Sequence, residues 1–151
     1  MSDRLTIISA DTHGGADVAG YRPYLAPEWH DEFAAWSATF ESAWLDADDD
    51  NFFMNYDSDR RLAALEADGI SAEVVFPNTY PPFFPGRSLA GTLPTTREEF
   101  VRRWAGLAAH NRWLVDFCRA VPGRRKGVIQ LLPNDVDAAV ARATVPACSP
   151  W

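Results

Sequence analysis

Two stretches of this chain carry side chains whose types and spacing could do chemistry. The first is Asp11-Thr12-His13, which closes an apolar run, Leu5, Thr6, Ile7 and Ile8 leading through Ser9 and Ala10, just ahead of Gly14 and Gly15. A run of this kind, opening the chain and ending at two glycines, predicts a buried strand that stops at a turn. Side chains alternate along a strand, so Asp11 and His13 should leave it on the same face. That sets a carboxylate and an imidazole together at the C-terminal end of a strand, where parallel α/β folds build their sites. The second stretch is acidic. Asp46, Asp48 and Asp50 match the first, third and fifth ligand positions of a calcium loop, with Asp57 at the twelfth. The match weakens at Asn51, where such loops place glycine, and at Asp57, where they place the longer glutamate, and no second loop accompanies it. A solvated acidic loop is the preferred reading of these residues.

The elements that must position the first pair follow from periodicity. A Gly- and Pro-rich loop leaves the strand, and Pro27, with Glu28, Asp31 and Glu32 after it, marks the start of a helix over about 27–45. Trp29, Phe33, Trp36, Phe40 and Trp44 line one side of it as a packing stripe, and His30 falls off that stripe. Asp57 or Ser58 caps a second helix through Arg60, Arg61, Leu62, Leu65 and Glu66, which Gly69 stops. It feeds a second strand over 72–76. At that strand's end the segment 77–86 is rich in proline, and Tyr80, Phe83 and Phe84 either wall a substrate pocket or tuck against the aromatic helix.

Thr95 or Thr96, with Glu98 or Glu99, makes a capping box for the longest helix, which runs to about Val121. Phe100, Trp104, Leu107, Leu114 and Cys118 form its apolar face. Asn111 lies on that face, and a buried amide there is expected to tie down a neighbouring backbone group, while His110 beside it reads as structural or solvated. Pro122 and Gly123 end the helix, the cations Arg124, Arg125 and Lys126 follow, and 127–132 reads as a third strand. Asn134, with Asp137 behind it, is expected to cap a last helix. Residues 143–151 have no charge and no period, and they read as an irregular tail on a chain cut short.

Composition narrows the partners. The chain has 151 residues, 14 basic and 21 acidic, for a net charge of −7, and no window gathers Lys and Arg into a phosphate-tracking stripe, which argues against nucleic acid. Its apolar runs are too short to span a bilayer, and Asp3 beside Arg4 is not the start of a signal peptide, so a soluble cytoplasmic protein is expected. Neither Cys118 nor Cys148 has the spacing of a disulfide framework or a zinc knuckle.

Taken in combination, ISADTH at the first strand, LAALEADGISAEVVFPN through the second, HNRWLVDFC on the long helix and GVIQLLPND at the third resemble the amidohydrolase-related family of metal-dependent hydrolases and nonoxidative decarboxylases. The resemblance covers about residues 5–142 and implies an α/β fold, the first three βα units of a (β/α)8 TIM-type barrel, truncated, with an aromatic-rich helical insertion after strand 1. It implies a divalent metal, zinc or else manganese, with Asp11 and His13 among its ligands, although many relatives carry a second histidine where Asp11 stands. Relatives complete the site with a histidine on a middle strand and an aspartate on the last. Neither has a counterpart here, since His30 and His110 fall on predicted helices.

Three readings compete on these grounds. The first is the N-terminal part (1–142) of an amidohydrolase-type enzyme that acts by metal-assisted hydrolysis or decarboxylation of a small carboxylate or cyclic substrate, inactive as this chain alone. The second is a non-catalytic chain that needs a partner, a second copy included, because three parallel strands leave two bare edges. The calcium module is the third.

Overall fold

The computed structural model describes residues 5–40, 52–77, 80–85 and 92–143. In chain order these form β1 (Ile7–Gly14), α1 (His30–Thr39), α2 (Ser58–Ala67), β2 (Ile70–Pro77), α3 (Arg97–Arg119), β3 (Arg125–Gly127) and α4 (Val136–Ala143). Short 3-10 turns lie at Ala19–Tyr24, Pro27–Trp29 and Phe52–Asn55. The strands make one parallel sheet in the order β1-β2-β3.

That architecture corrects the barrel expectation. Among the described residues the sheet is open and three-stranded, in a small mixed α/β fold, and not the first units of a TIM-type barrel. Three strands cannot close on themselves, and a closed (β/α)8 barrel takes about 250 residues. The expected third strand over 127–132 is not where the structure has it: β3 covers Arg125–Gly127 and shares only Gly127 with that span. Its ladder ends with Val128 N–H donating to the Val75 carbonyl at 2.9 Å. Two residues on, the Asn111 amide takes the place of a strand partner: its Nδ2 donates to the Gln130 carbonyl at 2.9 Å and its Oδ1 accepts the Gln130 N–H at 3.0 Å.

The expectation of a buried first strand fails as well. β1 is an edge strand, with Leu5, Ile7 and Ile8 at 84%, 49% and 51% exposure. β-branched composition selects an extended backbone whether or not a neighbour covers it. β1 also carries a bulge: Ser9 pairs with Glu73 and Thr12 with Val75, so β1 takes one more residue than β2 over the same span.

The core lies on one side of the sheet. Val75 of β2 packs with Ala109, Trp113, Leu114, Phe117 and Cys118 of α3, and with Tyr21, Leu25 and Phe33 from the segment after β1. α3 begins where a capping box places it: Thr96 Oγ1 accepts the Glu99 N–H at 3.1 Å, and the Glu99 carboxylate accepts the Thr95 N–H at 2.8 Å. Asp57 caps α2 through the Arg60 N–H at 3.0 Å, and Gly69 ends it with φ +74°. α4 is capped by Asp135, which accepts the Ala138 N–H at 2.9 Å, instead of by Asn134, whose amide donates to the Pro94 carbonyl.

The aromatic insertion is shorter than its stripe. A 3-10 turn precedes α1, which ends at Thr39, where Phe40 turns extended. Phe33 is buried and Trp36 packs between it and Phe40, with ring centroids 5.8 and 4.6 Å apart. Trp44 and the acidic run Asp46, Asp48 and Asp50 lie outside the described residues, as does 144–151 of the tail. Among the described residues no helix is long and apolar enough to cross a membrane.

Candidate functional site

Asp11 and His13 do leave β1 on a common face, as the alternation requires. Asp11 Oδ1 lies 4.0 Å from His13 Nε2, and the side chains are 86% and 51% exposed. Parallel pairing sets His13 opposite Phe76, whose ring centroid is 6.1 Å from the imidazole and which is itself partly exposed. This face of the sheet, opposite the helical core, is open at the C-terminal ends of β1 and β2. Among the described residues no group of three His, Cys, Asp or Glu side chains converges on a point.

The residue between the two, Thr12, points the other way and meets a buried cluster of charged side chains. Its hydroxyl reaches Glu73 Oε2 and the Val74 carbonyl, each at 2.9 Å. Glu73 stands in the middle of β2 with no solvent exposure and accepts hydrogen bonds from two guanidinium groups. Arg61 of α2 donates through NH2 to Oε2 at 2.6 Å and through Nε to Oε1 at 3.0 Å. Arg125 of β3 donates through Nε to Oε1 at 2.7 Å. Both guanidinium groups make further bonds: Arg61 NH1 donates to the His13 carbonyl at 2.7 Å and to the Met54 carbonyl, and Arg125 donates to Ser58 Oγ at 2.7 Å and to the Ser58 carbonyl at 3.0 Å. Burial pushes the Glu73 carboxyl up, but the hydrogen bonds of Arg61 and Arg125, the charge of Arg61 and the Thr12 hydroxyl together hold it below its ordinary value.

The C-terminal end of β1 is thereby fixed on its inner face. Gly15 N–H donates to the Asn55 carbonyl at 3.0 Å, and at Gly14 a Cβ would come within 2.9 Å of Val75 Cγ1 and 3.2 Å of the Asn55 carbonyl, so only glycine fits.

The aromatic loop after β2 divides. Phe83 is buried against Trp29 and Trp36, at centroid distances of 5.5 and 6.0 Å. It holds a left-handed backbone, φ 70°, in a turn where Phe84 N–H donates to the Pro81 carbonyl, a position that favours glycine. Trp36 Nε1 donates to the Phe84 carbonyl at 3.2 Å, and Gly106 of α3 lets the loop approach so closely that a Cβ there would overlap the Pro82 carbonyl. Tyr80 and Phe84 stay partly exposed, with Tyr80 beside Phe40. The loop is thus tucked against the aromatic helix, and of the three proposed wall residues Phe83 has its ring in the core.

The other histidines are placed by packing. His30 Nε2 lies 3.3 Å from the Leu25 carbonyl. His110 is wholly buried, with Nδ1 2.9 Å from the Tyr21 hydroxyl and no hydrogen-bond partner at Nε2 among the described residues, and desolvation lowers its pKa to about 4. Asp57 of the calcium reading spends its carboxylate on the α2 cap. An open groove of about 680 Å³ lies at the opposite ends of the strands, by Leu5, Ile70 and Ser71, and the Arg124 guanidinium there is already bonded to Glu66 and the Ser71 carbonyl.

Sequence reasoning located the Asp11/His13 pair but missed the Glu73 cluster. The available signal was a single carboxylate inside AEVVF, because a charge in a buried strand requires partners. No family model matches the chain, and comparison with curated proteins and with solved structures finds no match either.

Proposed function

We propose that Asp11 and His13 are two ligands of a divalent-metal site of amidohydrolase-related type, zinc or else manganese, serving metal-assisted hydrolysis or nonoxidative decarboxylation of a small carboxylate or cyclic substrate. The observation that carries this reading is the 4.0 Å approach of Asp11 Oδ1 and His13 Nε2 on an open face at the C-terminal end of a parallel strand. The pair fits an ion. Ligand atoms each about 2.1 Å from a tetrahedral ion stand roughly 3.4 Å apart, and two exposed side chains close that difference by rotation. A divalent ion held there supplies a bound water of lowered pKa and polarises a substrate carbonyl or carboxylate. The protein's own groups set the geometry around it: Asp11 contributes a negative charge, His13 a ring nitrogen, and Phe76 an apolar surface beside the imidazole for an uncharged part of the substrate.

Two ligands make a weaker site than three or four, and neither residue is free to serve as general base while it binds metal. A working site needs further ligands and a base, and this chain alone is inactive. The test is equilibrium zinc binding by competition with a chromogenic chelator. Wild type should bind about one zinc per chain and His13→Ala should lose it. Equal binding by both, or by neither, overturns the site, and metal-dependent turnover by this chain alone overturns the claim of inactivity.

A further inference from the structure

We infer that Thr12, Glu73 and Arg61 are positioning residues for the Asp11/His13 pair, an inference that rests on the metal reading above. The polar contacts run in a closed circuit. The Thr12 hydroxyl reaches Glu73 Oε2 at 2.9 Å, the same oxygen accepts Arg61 NH2 at 2.6 Å, and Arg61 NH1 donates to the His13 carbonyl at 2.7 Å. The circuit therefore grips the side chain of one residue and the carbonyl of the next. That holds the Thr12 side chain on the inner face and the peptide plane between His13 and Gly14, one on each side of the His13 N–Cα bond, and so sets the direction in which Asp11 and His13 leave the strand.

The need for such a grip comes from the strand itself. β1 is bulged between Ser9 and Thr12, and upstream Ile7 and Ile8 are about half exposed at an open edge. A bulged edge strand can relax by sliding one residue, and a one-residue slip turns every side chain to the opposite face. Thr12 on the inner face and Asp11 and His13 on the outer would then exchange places. The grip is built to be stiff: Glu73 has no solvent exposure, and Arg125 holds its second oxygen at 2.7 Å from the far side.

The experiment measures zinc affinity by chelator competition on the full chain, with folding followed by circular dichroism. Thr12→Val keeps the β-branched shape and removes the hydroxyl, Thr12→Ser keeps the hydroxyl, and Ser58→Ala removes a partner of Arg125 on the side of the cluster away from β1. Thr12→Val is expected to bind zinc about tenfold or more weakly, as loss of a group that orients a ligand does. Thr12→Ser should bind as wild type does, and Ser58→Ala should melt earlier with unchanged affinity. Thr12→Ala replaces Thr12→Val should the latter not fold. Wild-type affinity in the hydroxyl-free variant, or equal weakening by Ser58→Ala, overturns the positioning role. Wild-type zinc binding that disappears in Asp11→Ala but is untouched in Thr12→Val sinks this inference alone, whereas binding unaffected by Asp11→Ala sinks the metal reading and this inference with it.

Discussion

Lowering the pH from 6.5 should weaken the fold through His110. The imidazole is wholly buried between Tyr21 and Trp113, and desolvation lowers its pKa from 6.5 to about 4. The folded protein therefore keeps His110 neutral across a range in which the unfolded chain takes up a proton. Stability is complete above the unfolded value near pH 6.5, falls as pH drops, and levels off below the folded value near pH 4. Each pH unit in that window costs about 1.4 kcal/mol, so the loss is about 2 kcal/mol between pH 6.5 and 5 and about 3 kcal/mol over the whole window. Against a total of roughly 5–15 kcal/mol this is a large share. Urea unfolding followed by tryptophan fluorescence reads it directly, because Trp113 sits 5.8 Å from the imidazole. His110→Gln retains a polar partner for Tyr21 and does not titrate, so its stability should be nearly flat from pH 6.5 to 5. A wild-type profile flat over that interval, or an equal decline in His110→Gln, refutes the assignment.

Glu73→Gln should lower stability by about 3–5 kcal/mol, because it leaves two buried guanidinium groups without a counter-charge, and for a chain of this size that is a fall in Tm of about 10 °C by calorimetry. The depressed Glu73 carboxyl contributes its stability above its ordinary value of 4.5 and loses it as pH falls further, so the variant's deficit should shrink in strong acid; a constant deficit would refute the electrostatic account. The bare edge of β1, with Leu5, Ile7 and Ile8 exposed, should make the chain associate with its own copies as concentration rises, and Ile8→Lys should suppress this. Sedimentation velocity checks it, and a wild type that stays monomeric at about 100 μM contradicts it.

What could be read from the sequence was local. A cap needs only residues three apart, so Asp57 before α2 and Thr96 with Glu99 at α3 were legible, and so was the common face of Asp11 and His13. Asn111 was legible because an amide on an apolar stripe must find a backbone partner, which it does at Gln130. The rest depended on what neighbours what. An apolar run looks the same in a covered strand and at an open edge, so β1 was misjudged, and the length of β3 was decided by Asn111, outside the strand. The Glu73 cluster joins positions 12, 58, 61, 73 and 125, and no periodicity links residues so far apart.

The cluster also constrains how this sequence can drift. An apolar trio of similar volume at 61, 73 and 125 could serve the fold about as well as two arginines and a glutamate do. Yet each first step toward it strands a charge: losing Glu73 leaves two cations, and losing either arginine takes a charged donor from the buried carboxylate. The three codons are therefore tied to one another. Neighbouring exposed positions such as Asp59 and Ala63 can change one at a time, whereas this trio can only be exchanged together or passed on intact.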